Sequence, residues 1–301
     1  MKRFILNVLF FFAIVACVDV LIGGLGDYLQ AHAKGGASKR INDLVVKDTH
    51  DVVILGSSRA HHHYDTPFLS DTLGLDVYNA GYDGNGVILA YGLLELILDR
   101  YTPQLVIFDV EESFDINVYE NDNGYKRYVS FLKPYYRQPA IASLIRDISE
   151  EEWYKVHSGL IRYNSALLSM AKDYLFGHAV SNKGYEPSIG VYTGEPNKGD
   201  KKEVVVDYFK LGYIEKLIEL AKNRGVQIVF VASPKYGNTS SESLQSVMTI
   251  CRQRGVPFFD YFADEEFMTH KEWFKEPMHL NGEGARIFSR RLITDLFETV
   301  L

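Results

Sequence analysis

The chain has 301 residues and a mass of 34.3 kDa, room for one large domain and an accessory segment. Hydrophobic residues make up 47% and charged residues 24%, which excludes wholesale disorder, and a formal charge of −7 excludes a general nucleic-acid binder, which needs a basic face. Two cysteines, Cys17 and Cys251, build neither a disulfide framework nor a zinc cluster.

Met1-Lys2-Arg3 precedes an apolar stretch from Phe4 to Leu25, broken only by Asn7 and Asp19. About 20 apolar residues suffice to cross the hydrocarbon core as a helix. Residues 1–28 are therefore expected to form a transmembrane signal-anchor, with Lys2 and Arg3 holding the N-terminus in the cytoplasm. Two alternatives stay open. One is a cleaved signal peptide, whose apolar region is shorter. The other is a lipoprotein, since Ile14-Val15-Ala16-Cys17 resembles a lipobox, although the apolar run continues past it. All three put the remaining chain outside the cytoplasm, and the anchor implies the cytoplasmic (inner) membrane, crossed once.

Residues 29–50 read as a polar juxtamembrane spacer. Asp51-Val52-Val53-Ile54-Leu55-Gly56 then reads as a strand buried on both faces, and similar runs follow at 75–78, 105–110, 226–232 and 256–259. Helical patterns separate most of them, at 87–100, 213–224 and 240–254, and a last one runs over 282–300. Gly225 and Gly255 stop two of these helices. Alternating strands and helices predict a three-layer, doubly wound parallel sheet of flavodoxin-like order over 51–301. Residues 111–212 break the alternation and read as an insertion over the strand ends or, equally, as a structural excursion packed at the sheet edge, helical and aromatic at 125–175 and a polar Gly/Pro-rich loop at 181–202.

In such sheets the ligand site lies beyond the carboxyl ends of the strands, so the residues that follow the strands are the ones to inspect. The first strand ends in Gly56-Ser57-Ser58-Arg59, which allows a sharp turn and puts a hydroxyl at a helix N-terminus, where negative charge is favoured. Ser58 is a candidate nucleophile if a base reaches it. The second strand leads into Asn79-Ala80-Gly81-Tyr82-Asp83-Gly84-Asn85-Gly86, where the Gly84 N–H could join that of Ser58 in an oxyanion hole. The spacing is not that of a dinucleotide or phosphate loop, and no cofactor is expected. Glu276-Pro277-Met278-His279-Leu280-Asn281 precedes the last helix. A turn of that length lets Glu276 orient His279, whose other ring nitrogen can take the Ser58 proton, while Asn281 caps the helix.

These blocks resemble those of the SGNH/GDSL hydrolase superfamily, and in particular its membrane-anchored bacterial branch associated with envelope and polysaccharide modification. Gly56-Ser57-Ser58-Arg59 resembles a Gly-Ser-Ser-Arg variant of the first block, and Asn79-x-Gly81-x-x-Gly84 the second. Glu276 stands where the family has Asp, three residues before the catalytic His. The third block, Gly-x-Asn-Asp, is absent: the chain reads Phe108-Asp109-Val110-Glu111, so Asn85 or backbone groups alone would complete the oxyanion site. The resemblance implies an SGNH hydrolase fold and a serine esterase or O-acyltransferase acting on an acylated envelope glycan. The alternative is an inactive carbohydrate-binding or assembly protein on the same scaffold, with envelope-assembly partners.

His61-His62-His63 invites a metal reading, but consecutive residues cannot all face one ion and no nearby Cys or carboxylate set completes a site, so no metal is expected. Arg59, His61 and Lys235, which follows the fourth strand, are expected at the pocket mouth as substrate contacts.

Overall fold

Five strands pair in parallel: β1 (Val52–Gly56), β2 (Val77–Asn79), β3 (Leu105–Asp109), β4 (Gln227–Ala232) and β5 (Phe258–Asp260), in the order β2-β1-β3-β4-β5. This is the expected flavodoxin-like order. The computed structural model describes residues 1–118, 123–164, 166–177, 182–194 and 205–299; residues 195–202 and Ser181 of the expected Gly/Pro-rich loop, and Val300 of the last expected helix, lie outside them. The helices among the described residues are α1 (Lys2–Ala31), α2 (Gly36–Asn42), α3 (Ser58–His63), α4 (Thr66–Leu73), α5 (Val87–Leu98), α6 (Glu112–Asp115), α7 (Pro139–Ile148), α8 (Glu150–Lys155), α9 (Gly159–Tyr163), α10 (Leu167–Phe176), α11 (Tyr208–Asn223), α12 (Gln245–Arg254), α13 (Glu265–Thr269) and α14 (Gly282–Thr299). A small antiparallel hairpin, β6 (Phe274–Glu276) and β7 (His279–Leu280), precedes α14.

The chain divides into two compact units, Met1–Val46 with Asn123–Ala179, and Lys47–Asp122 with Val180–Leu301. The second holds the sheet. Side chains alternate across each strand, so Val52, Ile54, Leu105, Ile107, Val229 and Val231 enter one core, with Tyr64, Phe288 and Leu292 among its members. The alternate residues Val53, Leu55, Val106, Phe108 and Phe230 are buried too. Their face carries α5 and α11, which pack on each other and on β1 and β4 respectively. Burial on both faces is what makes these strands read as unbroken apolar runs.

The first unit is built on α1, whose 30 residues at about 1.5 Å each span about 45 Å. It is long and apolar enough to cross a membrane, with a mean hydropathy of 2.7 over its most apolar window. The segment read as a spacer is helical: it holds the end of α1, all of α2 and a π-helical turn at Asp43–Lys47. The helical half of the insertion groups with α1. Asp19, the acid that interrupts the apolar stretch, caps α9, accepting from Ser158 Oγ at 2.5 Å, Leu160 N at 3.0 Å and Gly159 N at 3.1 Å. Gly159 lies against Gly23, and a Cβ on Gly159 would fall 2.4 Å from Gly23 Cα. One turn on, Asp27 accepts from Tyr163 Oη at 2.5 Å and Arg162 Nη2 at 3.3 Å.

Asp19→Leu makes α1 a more apolar span yet strips three donors of their acceptor. An unsatisfied buried donor costs about 1–3 kcal/mol. The expected outcome, read by limited trypsin digestion of the full chain in detergent, is faster cleavage within residues 123–177 and unchanged cleavage of the sheet unit.

Candidate active site

Gly56 ends β1 with φ of 144°, and a Cβ there would fall 2.6 Å from the Asp109 carbonyl oxygen. Only glycine can turn the chain at that point. Ser57 then caps α3, its hydroxyl accepting from Arg59 N at 3.3 Å. Ser58 is the first residue of α3 and half-buried. Its N–H belongs to the first turn, which has no intrahelical acceptors.

The imidazole opposite Ser58 comes from 221 positions away in the chain. Glu276 and His279 are paired across the β6–β7 hairpin, with Pro277 and Met278 as its turn. That pairing puts the two side chains together. Glu276 Oε1 accepts from His279 Nδ1, and Glu276 Oε2 accepts from Met278 N at 2.9 Å. A proton on Nδ1 leaves Nε2 as the acceptor, and Ser58 Oγ lies 2.7 Å from it. Burial raises the Glu276 carboxyl pKa, but the hydrogen bonds from His279 and Met278 N outweigh it, so the group sits below its ordinary value of 4.5. It is a carboxylate at neutral pH. Asn281 fixes the exit of the hairpin: its Oδ1 accepts from Glu283 N at 3.1 Å and Gly284 N at 3.0 Å at the start of α14.

A second, buried histidine holds the hairpin to the sheet. Leu280 N donates to His63 Nε2 at 3.0 Å, so the His63 proton is on Nδ1 and goes to Ser233 Oγ at 2.9 Å. Ser233 Oγ in turn donates to Asp109 Oδ2 at 2.9 Å, and Ser233 N donates to Asp109 Oδ1 at 3.0 Å. Asp109 ends β3 directly beside Gly56 in the register. Burial pushes the His63 pKa well down, helped by the nearby His279 and Arg59 charges, and His63 stays neutral. Sequence reasoning assigned no role to His63, Ser233 or Asp109; the position of Asp109 and Ser233 at adjacent strand ends was the available signal.

The other expected residues divide. The loop after β2 lies on α3: Tyr82 N donates to Gly56 O at 3.0 Å, and a Cβ on Gly81 would fall 2.5 Å from His61 N. Gly84 and Asn85 close a turn in this loop, with Asn85 N donating to Tyr82 O at 3.1 Å. Asn85 is buried and its amide donates to Asp83 O at 3.0 Å. Arg59 is not at a pocket mouth. It is fully buried, donating to Val110 O, 4.0 Å from Asp109 Oδ1 and over the Phe262 ring at 5.2 Å. The reason is the α3 turn, which points residue 59 back towards the end of β3. Lys235 is half-buried and pairs with Glu112 Oε2 at 2.8 Å. His61 is buried beside Asp83, with Nδ1 2.8 Å from Asp83 Oδ1. Hydrogen bonds from His61 and then His62 hold the Asp83 carboxyl well below the usual carboxylate range.

Replacing His63 with Ala leaves Leu280 N without its acceptor and Ser233 without its donor, a loss of about 1–3 kcal/mol that a thermal melt should register as a lower midpoint. The wild-type protein should also weaken in acid. Because His63 has a depressed pKa when folded, protons bind the unfolded chain first; its contribution is complete above pH 6.5 and is lost as the pH falls below that value. Urea titrations at pH 7 and pH 5 should show this loss in wild type and a smaller loss in His63→Gln.

No family model matches the chain, and no curated protein matches it. Solved structures with some likeness include a Bacteroides fragilis protein assigned as an acylhydrolase, at 13% identity, covering 91% of this chain and 94% of that one, with a TM-score of 0.40. A GDSL-like lipase from Bacteroides thetaiotaomicron is 14% identical over 93% of this chain and 100% of its own, with a TM-score of 0.39. A gut microbial diltiazem-metabolizing enzyme is 11% identical over 82% of this chain and 46% of its own, with a TM-score of 0.40. At such scores these likenesses carry no argument about chemistry.

Proposed function

We propose that this protein is a membrane-tethered serine esterase or O-acyltransferase that works outside the cytoplasm on an acylated envelope glycan. The observation that carries the chemistry is the line Ser58 Oγ, His279 Nε2, His279 Nδ1, Glu276, in hydrogen-bond contact throughout. The substrate class and the compartment rest on the motif resemblance and on the charge pattern around α1.

In this reading His279 takes the Ser58 proton as Oγ attacks the ester carbonyl carbon. The developing oxyanion is met by the N–H of Ser58, in the first turn of α3, and by that of Gly84, in the loop after β2. When the tetrahedral adduct collapses, the sugar oxygen leaves with the proton held by His279, and the acyl group stays on Ser58. A water hydroxyl then completes hydrolysis, or a second sugar hydroxyl completes transfer, again through His279. Glu276 remains ionised and stabilises the imidazolium. A single oxyanion donor contributes about 3 kcal/mol, so a site without the family's asparagine should turn over slowly.

The alternative, a carbohydrate-binding or assembly protein with an inert site, draws support from one feature. The residues at the end of β3, where that asparagine would stand, are committed elsewhere: Glu111 Oε1 accepts from Ser113 N at 3.4 Å and Glu112 binds Lys235.

A fluorophosphonate probe should label the full chain in detergent, and Ser58→Ala and His279→Ala should abolish labelling. Turnover of p-nitrophenyl acetate should fall at least about 10³-fold in Ser58→Ala and less in Glu276→Gln. Equal turnover in wild type and Ser58→Ala would remove the serine mechanism and favour the inert reading. For topology, protease added to intact spheroplasts should digest the sheet unit; full protection would place it inside.

A further inference from the structure

The loop after β2, the end of α3 and the polar part of the insertion bring four polar groups together. His61 Nδ1 lies 2.8 Å and His62 Nε2 lies 3.6 Å from Asp83 Oδ1. One ligand atom from each of the three residues falls within 4.8 Å of the other two. Glu186 approaches both rings from behind: its carbonyl oxygen accepts from His62 Nδ1 at 2.7 Å, and its Oε2 lies 3.5 Å from His61 Nε2.

Glu186 O receives the His62 Nδ1 proton, which turns His62 Nε2 to Asp83, and Glu186 Oε2 stands at the far nitrogen of His61, so each ring presents one nitrogen to the Asp83 carboxylate and the other to Glu186. The two rings are stacked with centroids 4.5 Å apart, and a cation between His62 Nε2, His61 Nδ1 and Asp83 would meet one nitrogen of each. Histidine ligands of metal ions regularly donate their other ring N–H to a carboxylate or a backbone carbonyl, and Glu186 supplies one of each.

We propose that His61, His62 and Asp83 bind a divalent transition-metal ion, with Glu186 orienting the two imidazoles. Two imidazoles and a carboxylate suit Zn²⁺ and its first-row neighbours, and three protein ligands leave a coordination position for an oxygen of water or ligand. Asp83 is 61% exposed, so the site is open to solvent. The His62 ring stands edge-on to the His279 ring at 5.5 Å, which puts the ion beside the proposed serine site and ties the glycine loop to α3. His61 and His62 are adjacent in the chain, but both carboxylates come from other segments, 21 and 124 positions beyond His62.

The test uses the full chain in detergent, stripped with EDTA and titrated with Co²⁺ alone. One Co²⁺ per chain should bind with visible d–d absorbance and be displaced by one equivalent of Zn²⁺. His62→Gln and Asp83→Asn should weaken binding at least 100-fold and Glu186→Ala about 10–100-fold, while His270→Ala, at a half-buried histidine elsewhere, should bind as wild type. Unfolding midpoints in EDTA check that each variant is folded; Glu186, 67% exposed, is the variant least able to disturb the fold. Absence of Co²⁺ absorbance in wild type at millimolar metal, or binding undiminished in His62→Gln and Asp83→Asn, would overturn the site. Binding should persist in Ser58→Ala, so the result is independent of the ester chemistry.

Discussion

The bond from Leu280 N–H to His63 Nε2 is the constraint on which the proposed site rests. His279 sits on a two-stranded hairpin outside the main sheet, and a hairpin of that size is not stable alone. His63 is fully buried at the end of α3, five residues after Ser58, and its other ring nitrogen is anchored through Ser233 to Asp109. The ring that holds the hairpin is therefore carried by the same short helix as Ser58. Such coupling keeps an Oγ–Nε2 distance of 2.7 Å without any direct sequence link between the two groups.

The charges around this bond are arranged to keep His63 neutral. A charged imidazolium there would have no acceptor role for Leu280 N, and it would sit close to the buried Arg59 and to His279. Asp109 is the opposing charge in the core. Burial pushes its carboxyl pKa up, while Arg59 and the Ser233 donors pull it back down. Arg59 thereby serves the interior rather than a ligand, and the α3 turn that exposes Ser58 is the same turn that sends residue 59 inward.

The first unit follows a different rule. Asp19 and Asp27 lie on one side of α1 together with Gly23 and Gly26, and most of the polar groups they meet belong to the ends of α9, with Arg137 as a further partner of Asp27. An acid inside an apolar helix reads as a break in the span; here it is a cap for a neighbouring helix. The proposed ion site has the same logic in reverse. Adjacent histidines look unable to share a ligand until Asp83 and Glu186 arrive from two other segments.

Local chemistry determined much of this protein on its own. Doubly buried strands must be continuous β-branched runs, so β1, β3 and β4 and their parallel order were legible, as were Gly56 at the turn, the apolar helix at the N-terminus, and the Glu276–His279 pair, whose spacing is set by a tight turn. Element ends shifted by one to five residues because caps compete locally, as where Asp207 starts α11 at Tyr208 rather than Tyr213. The tertiary structure alone decided everything that depends on long-range contact: the meeting of Ser58 with His279, the burial of Arg59, the His63–Ser233–Asp109 chain and the grouping of α9 and α10 with α1. These are packing outcomes between segments up to 221 positions apart, and no residue pattern records which of many polar side chains the folded core will enclose.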